Sequence, residues 1–236
     1  MTELLYQTDS YLKEFDARVL EINSELNALV LDRTAFYPGG GGQPNDTGTI
    51  QFADKFVSVI KVKAHAGKIL HWIEGDLPAP DTLIKGKIDW DRRYKLMRYH
   101  TATHVLCGIF SREYELLVTG NQLTTEKGRV DLNMEKMDVD VLKQAFVKAN
   151  EIIQKDLPIE IYYKSREEAE KDPSLFKLAI DFPHDIKTLR IVDIKGFDAQ
   201  ADGGCHVNSL KEIGKLVFKE AVNKGKHNRR VYFTVE

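Results

Sequence analysis

Through the first third of the chain, apolar and polar positions alternate with a period of two, which predicts strands. Residues 15–22 and 26–31 alternate on either side of Asn23-Ser24-Glu25, the pattern of a hairpin. Similar runs follow at 47–52, 56–63 and 68–73, with Ala64-His65-Ala66-Gly67 as a bend between the last two. Short, closely spaced strands punctuated by Gly and Pro predict a small barrel or sandwich. From residue 91 the period changes. Met97, His100, Thr101, His104 and Cys107 recur at steps of three and four, predicting a helix over 91–114. A second helix is predicted over 140–155, where Leu142, Ala145, Phe146, Ala149, Ile152 and Ile153 form a stripe and Pro158 lies beyond the end. Ser165 with Glu168 is a capping box for a third, short helix. Strands interleave at 129–132, 159–163 and 189–194, and a final hairpin pairs 215–222 with 229–235. The mixture reads as α+β. Gly75, Pro78, Pro80 and Gly86 crowd the stretch 74–87, which places the expected boundary. The expected units are a glycine-rich, barrel-like β domain (1–88) and an α+β domain (89–236).

Composition narrows the class. Of 236 residues, 42% are hydrophobic and 30% charged, which excludes a disordered or collagen-like chain. No apolar run approaches the roughly 18 residues of a membrane span, and no secretory leader is expected. Two cysteines, Cys107 and Cys205, are too few for a disulfide framework and suit a reduced cytoplasmic setting. A net charge of −2 argues against non-specific coating of nucleic acid, DNA included, yet leaves room for a local basic patch.

Candidate chemistry lies in four segments. His100 and His104, four apart on a predicted helix, project from one face and can reach one metal ion. Two histidines on a buried helix face are the plainer alternative. Thr101, Ala102 and Thr103 separate them, so the general base of a zinc peptidase is missing. Asp202-Gly203-Gly204-Cys205-His206 is the other dense group of ligand types, and its glycines let backbone bend closely around an ion. An ordinary turn followed by a buried cysteine explains the same letters. Together the segments offer three imidazoles and one anionic ligand. The run Gly39 to Gly42, followed by Gln43 and Pro44, lacks the Lys-Ser or Lys-Thr of a phosphate loop. With Phe36-Tyr37-Pro38 before it, it reads as a positioned backbone able to approach a ligand. Basic residues gather at Arg92, Arg93, Lys95 and Arg98, and again from Lys211 to Arg230. They form either a solvated face or a phosphate-binding rim.

In these segments the chain resembles the editing domain of alanyl-tRNA synthetase and its free-standing AlaX-type relatives. The resemblance is carried by Asp32-Arg33-Thr34-Ala35-Phe36-Tyr37-Pro38 and the glycine-rich stretch after it. It continues through Asp89-Trp90-Asp91-Arg92-Arg93, Met97 to His104, Asp198 to Val207 and Glu212-Ile213-Gly214. These lie in family order over most of the chain, and its length looks like the medium-sized free-standing class. The resemblance implies a zinc-dependent deacylase that removes serine, and in a second role glycine, wrongly esterified to tRNA(Ala). It carries one Zn2+ onto His100, His104 and His206, and substrate contacts onto Thr34, Gly41, Gly42 and Gln43. The family's fourth ligand is a cysteine where this chain has Asp202, whereas Cys205 stands where threonine is usual. Asp202 inherits the family position and Cys205 is the better zinc donor; geometry favours Asp202.

The expected reaction is hydrolysis of the ester to the terminal ribose, with the metal polarising the ester carbonyl or a water. No protein nucleophile is required beyond that water. Arg92, Arg93, Arg98, Lys226 and Arg229 are expected along the tRNA, with no membrane partner. Two alternatives stand: editing of another mischarged tRNA, as in the related threonyl-tRNA synthetase domain, and a zinc-stabilised RNA-binding module without catalysis.

Overall fold

Every second residue from Phe15 to Val19 is buried, and that alternation builds one wall of a barrel. The computed structural model describes residues 2–176 and 186–236. The chain divides into two units, Met1–Leu96 and Met97–Glu236.

The first unit contains β1 (Glu3–Leu4), β2 (Glu14–Asn23), β3 (Ala28–Leu31), β4 (Arg33–Thr34), β5 (Gly48–Phe52), β6 (Lys55–His65), β7 (Lys68–Glu74) and β8 (Leu83–Ile88). A closed barrel runs β2-β3-β7-β6-β5-β8, and β1 pairs with β4 in parallel beside it. Phe15, Val19, Leu31, Ile50, Val59 and Ile84 are among the side chains that fill it. Ala66 and Gly67, both at positive φ, turn the chain from β6 into β7 at the expected bend. The stretch 74–87 is not a linker throughout, because β8 occupies its end and closes the barrel against β2 and β5. Its alternation is real, with Ile84 and Ile88 inward, and Phe15 lies against Gly86 where a side chain would otherwise sit.

A buried charge organises this unit. The Arg93 guanidinium binds both carboxylate oxygens of Asp46 and the carbonyls of Ser10 and Ala35, and neither charged side chain is exposed. Asp46 in turn accepts from the Tyr37 N–H. A buried ion persists only when paired and hydrogen-bonded in this way.

Helix α1 (Trp90–Tyr114) leads into the second unit, which adds β9 (Val118–Leu123), β10 (Gly128–Leu132), α2 (Val139–Gln154), β11 (Ile159–Ser165), α3 (Arg166–Glu170), β12 (Thr188–Ile194), β13 (Asp198–Ala201), β14 (Leu216–Asn223) and β15 (Arg229–Val235). Two antiparallel sheets result, ordered β14-β15-β10-β9 and β11-β12-β13. The stripe on α2 buries Leu142, Ala145, Phe146, Ala149 and Ile153, and Phe146 meets Phe218 edge-on at 5.5 Å. Asp138 caps α2 through the Val141 N–H, and the capping box of Ser165 and Glu168 opens α3. No described helix is long and apolar enough to cross a membrane.

Candidate metal centre

Between Met97 and Phe110, α1 is buried at every position except the half-buried Arg98, so its histidines face protein rather than water. One turn separates His100 from His104, and their ring centroids stand 5.2 Å apart. The second strand of the site is β13, which hands the chain to Asp202 at its end. His206 follows, its ring stacked on His100 at 4.4 Å and edge-on to His104 at 4.5 Å. His100, His104, Asp202 and His206 each offer one ligand atom, all within 4.8 Å of one another. Cys205 is buried and stands outside this group.

Neighbouring bonds aim each ligand. Thr101 Oγ1 lies 3.1 Å from His206 Nδ1 and accepts from the Val207 N–H, which leaves Nε2 of His206 turned toward Asp202. His100 bonds the backbone of Cys205. Gln200 Nε2 donates to the His104 carbonyl at 3.1 Å and to Asp198 at 2.6 Å, tying β13 to α1. Arg190 donates to the carbonyls of Asp202 and Gly204, and the Gly204 N–H donates to Asp202 Oδ2. Gly204 has no substitute here: a Cβ on it would strike Cε1 and Nδ1 of the His100 ring. Such outer contacts fix tautomer and orientation in metal sites. Gln200 and Arg190 escape a reading of the sequence for ligands, since nothing in their spacing marks them.

The electrostatics suit a cation. Burial lowers His100, lowers His104 well below its ordinary value with His206 adding to the effect, and brings His206 to about 4. Burial alone would raise Asp202, but the three imidazoles around it hold the carboxyl well below the usual range. Neutral rings and an ionised carboxylate are the donor states zinc requires. Geometry agrees. Ligand atoms about 2.1 Å from a tetrahedral ion stand about 3.4 Å from one another. Asp202 Oδ2 lies 3.1 Å from His206 Nε2, and its Oδ1 lies 3.6 Å from His100 Nε2 and 3.9 Å from His104 Nε2. The four groups are placed to hold one metal ion.

Thr34 and Gln43 are buried in the first unit. Thr34 Oγ1 is 2.9 Å from Nε2 of the buried His71, whose Nδ1 faces the Leu29 carbonyl at 3.3 Å, and accepts from the Phe36 N–H. Gly41 and Gly42, at φ +54° and +83°, form the centre of a tight turn closed by paired backbone bonds between Gly40 and Gln43. Of the expected basic rim, Arg93 is the buried partner of Asp46, and Arg92 bonds the Asn45 carbonyl. Arg98 bonds the carbonyls of Ile213 and Glu236. Arg229 is buried against the carbonyls of Glu135, Gly225 and Asn228. Lys226 is exposed.

Comparison with known proteins identifies the family of the chain. Residues 7–92 match the family described as tRNA synthetases class II (A), and residues 189–232 match the threonyl and alanyl tRNA synthetase second additional domain. The alanyl-tRNA editing protein AlaX-M of Saccharolobus solfataricus is 47% identical over the whole of both chains. That of Methanosarcina barkeri is 43% identical over 100% of this chain and 99% of its own. An alanine–tRNA ligase of Korarchaeum cryptofilum is 39% identical over 91% of this chain and 24% of the ligase. With such identity carried from end to end, the chain belongs to the AlaX-M family of alanyl-tRNA editing proteins.

Proposed function

We propose that this chain is a trans-editing deacylase of the cytoplasm, hydrolysing the ester that joins serine to tRNA(Ala). The observation that carries the reading is the convergence of His100, His104, Asp202 and His206 within 4.8 Å. In this reading they hold one zinc ion, which supplies a Lewis acid for the ester carbonyl or for water. The chain's own contribution is to present neutral imidazoles, to balance the ion with Asp202, and to keep the centre away from bulk solvent. Residues 89–236 are read as the editing domain and 1–88 as the glycine-rich β domain.

Serine differs from alanine by one hydroxyl, and a site built to bond that group rejects its absence strongly. We assign the contact to Thr34, with Gly41, Gly42 and Gln43 lining the same substrate pocket. The support is the state of the Thr34 hydroxyl. His71 Nδ1 faces a carbonyl and must donate, so Nε2 accepts the Thr34 hydrogen. Thr34 then has lone-pair capacity left, suited to a substrate hydroxyl that donates. Lys226 and Arg92 are the rim residues best disposed to meet phosphate.

The deciding experiment is deacylation of serylated tRNA(Ala), with glycylated tRNA(Ala) and serylated tRNA(Thr) beside it, with and without chelator and with elemental analysis of the protein. Chelator-sensitive release of serine from tRNA(Ala) is expected. Preference for tRNA(Thr) would favour the second reading, threonyl-type editing, which the shared threonyl and alanyl domain at 189–232 keeps in view. Unfolding on metal removal, with no turnover at any metal level, would favour a zinc-stabilised RNA-binding module.

A further inference from the structure

The sheet β14-β15-β10-β9 has one face on a core, where Val130, Leu132, Val231 and Phe233 are buried. The period of two sends Arg129, Asp131, Arg230 and Tyr232 to the opposite face. Gln122, Arg129 and Tyr232 form one cross-strand row, and Arg230 stands opposite Asp131 in the next. Here the face is concave: a groove of about 250 Å3 is lined by Gln122, Thr124, Lys127, Arg129, Arg230 and Tyr232.

Asp131 fixes the two guanidiniums. Arg230 grips it through Nε at 2.7 Å and Nη2 at 2.9 Å. Arg129 reaches it through Nη1 at 3.2 Å and the Gln122 amide oxygen through Nε at 3.1 Å. These bonds leave Nη1 of Arg230 and Nη2 of Arg129 unspent on Asp131 or Gln122. Both side chains keep 22% of their surface exposed. Lys127 Nζ lies 5.2 Å from the Tyr232 ring centre, and Lys224 is close enough to act on the Asp131 carboxylate. Lys127, Arg129 and Arg230 against Asp131 leave the groove positive on a chain whose net charge is −2. Glu220, across from Tyr232 on β14, is exposed outside the lining.

We infer that this groove is a docking site for RNA backbone, in which Lys127, Arg129 and Arg230 take phosphate oxygens and Tyr232 offers its ring to a base. Pre-oriented guanidinium forks match phosphate geometry, and a base stacked on an aromatic ring adds affinity without sequence preference. An acidic peptide would use the charges and leave the aromatic platform idle, so the mixture favours RNA. The inference rests on reading an aminoacylated tRNA as the substrate, and it deepens that reading by assigning tRNA contacts to residues other than the expected rim.

The test is binding of uncharged tRNA to the full chain over a series of salt concentrations, with Arg129→Gln/Arg230→Gln and Lys127→Gln/Tyr232→Ala. Each double variant is expected to weaken binding by about tenfold or more. The salt slope should fall by about one for each phosphate contact removed. In deacylation, KM should rise while kcat is retained. If the arginine pair fails to fold by circular dichroism, the Lys127/Tyr232 pair decides. Folded variants with unchanged affinity and salt slope would overturn the inference, as would wild-type protein binding polyglutamate as tightly as tRNA. Because uncharged tRNA is the probe, groove-dependent binding without any serine release would remove the proposed reaction and leave the groove standing.

Discussion

The Thr34 hydroxyl oxygen lies 2.9 Å from Nε2 of His71, a hydrogen bond between residues 37 positions apart and both buried. The bond sets the hydroxyl's direction, and the Phe36 N–H uses part of its remaining capacity. Thr34→Val keeps the shape and removes the hydroxyl. It is expected to lower seryl-ester hydrolysis by about tenfold or more, the scale of one lost polar discrimination, with tRNA binding changed little. Steady-state deacylation beside filter binding checks it; unchanged serine release would remove Thr34 from the site.

The same pair makes stability depend on pH. Burial lowers His71 to about 4, from 6.5 in the unfolded chain, so the folded state keeps the ring neutral. Between those values the unfolded chain binds more protons. The contribution is complete above pH 6.5 and is lost as pH falls toward 4, the whole loss amounting to about 3 kcal/mol. His71→Gln, neutral throughout, should flatten the pH dependence of urea unfolding by about that amount relative to wild type. Because the metal-centre histidines titrate in both proteins, only the difference between the two curves reads His71.

Asp202 and Cys205 are distinguishable by metal content. Asp202→Ala is expected to lower zinc affinity by about tenfold or more, whereas Cys205→Ser should stay within about twofold. Competition against a chelating dye measures both. Retained affinity in the aspartate variant with loss in the cysteine variant would reverse the assignment.

Gly204→Ala tests the packing of the centre, since the added methyl meets the His100 ring. A drop of about 10- to 100-fold in zinc affinity is expected, comparable to loss of an outer-contact residue. Overpacking should add a stability loss of about 1–3 kcal/mol. Wild-type zinc affinity in this variant would show that His100 does not pack against Gly204.

Elements with strong local periodicity are legible in the sequence. The barrel strands with inward Phe15 and Val19, the striped α2 and the capped α3 all follow from neighbours in sequence. Five strands are not: β1 and β4 are only two residues long, and three others are disguised. β8 is disguised by Gly86 between two lysines, β9 by the polar run Thr119-Gly120-Asn121-Gln122, and β13 by its four residues with two alanines. The His pair and the Asp202 to His206 segment were visible as ligand types, but only folding shows that Asp202 and not Cys205 turns toward the rings. Arg93 was unreadable for a related reason. Its partner Asp46 lies 47 positions upstream, so a buried structural cation looks in sequence like part of a phosphate rim.

The candidate ligands come from distant parts of the chain: His100 and His104 are made about a hundred residues before Asp202 and His206, and Gln200 on β13 bonds the His104 carbonyl. A nascent chain ending before Asp202 carries two of the four candidate ligands, so the proposed site would be complete for an ion only after Asp202 and His206 are made.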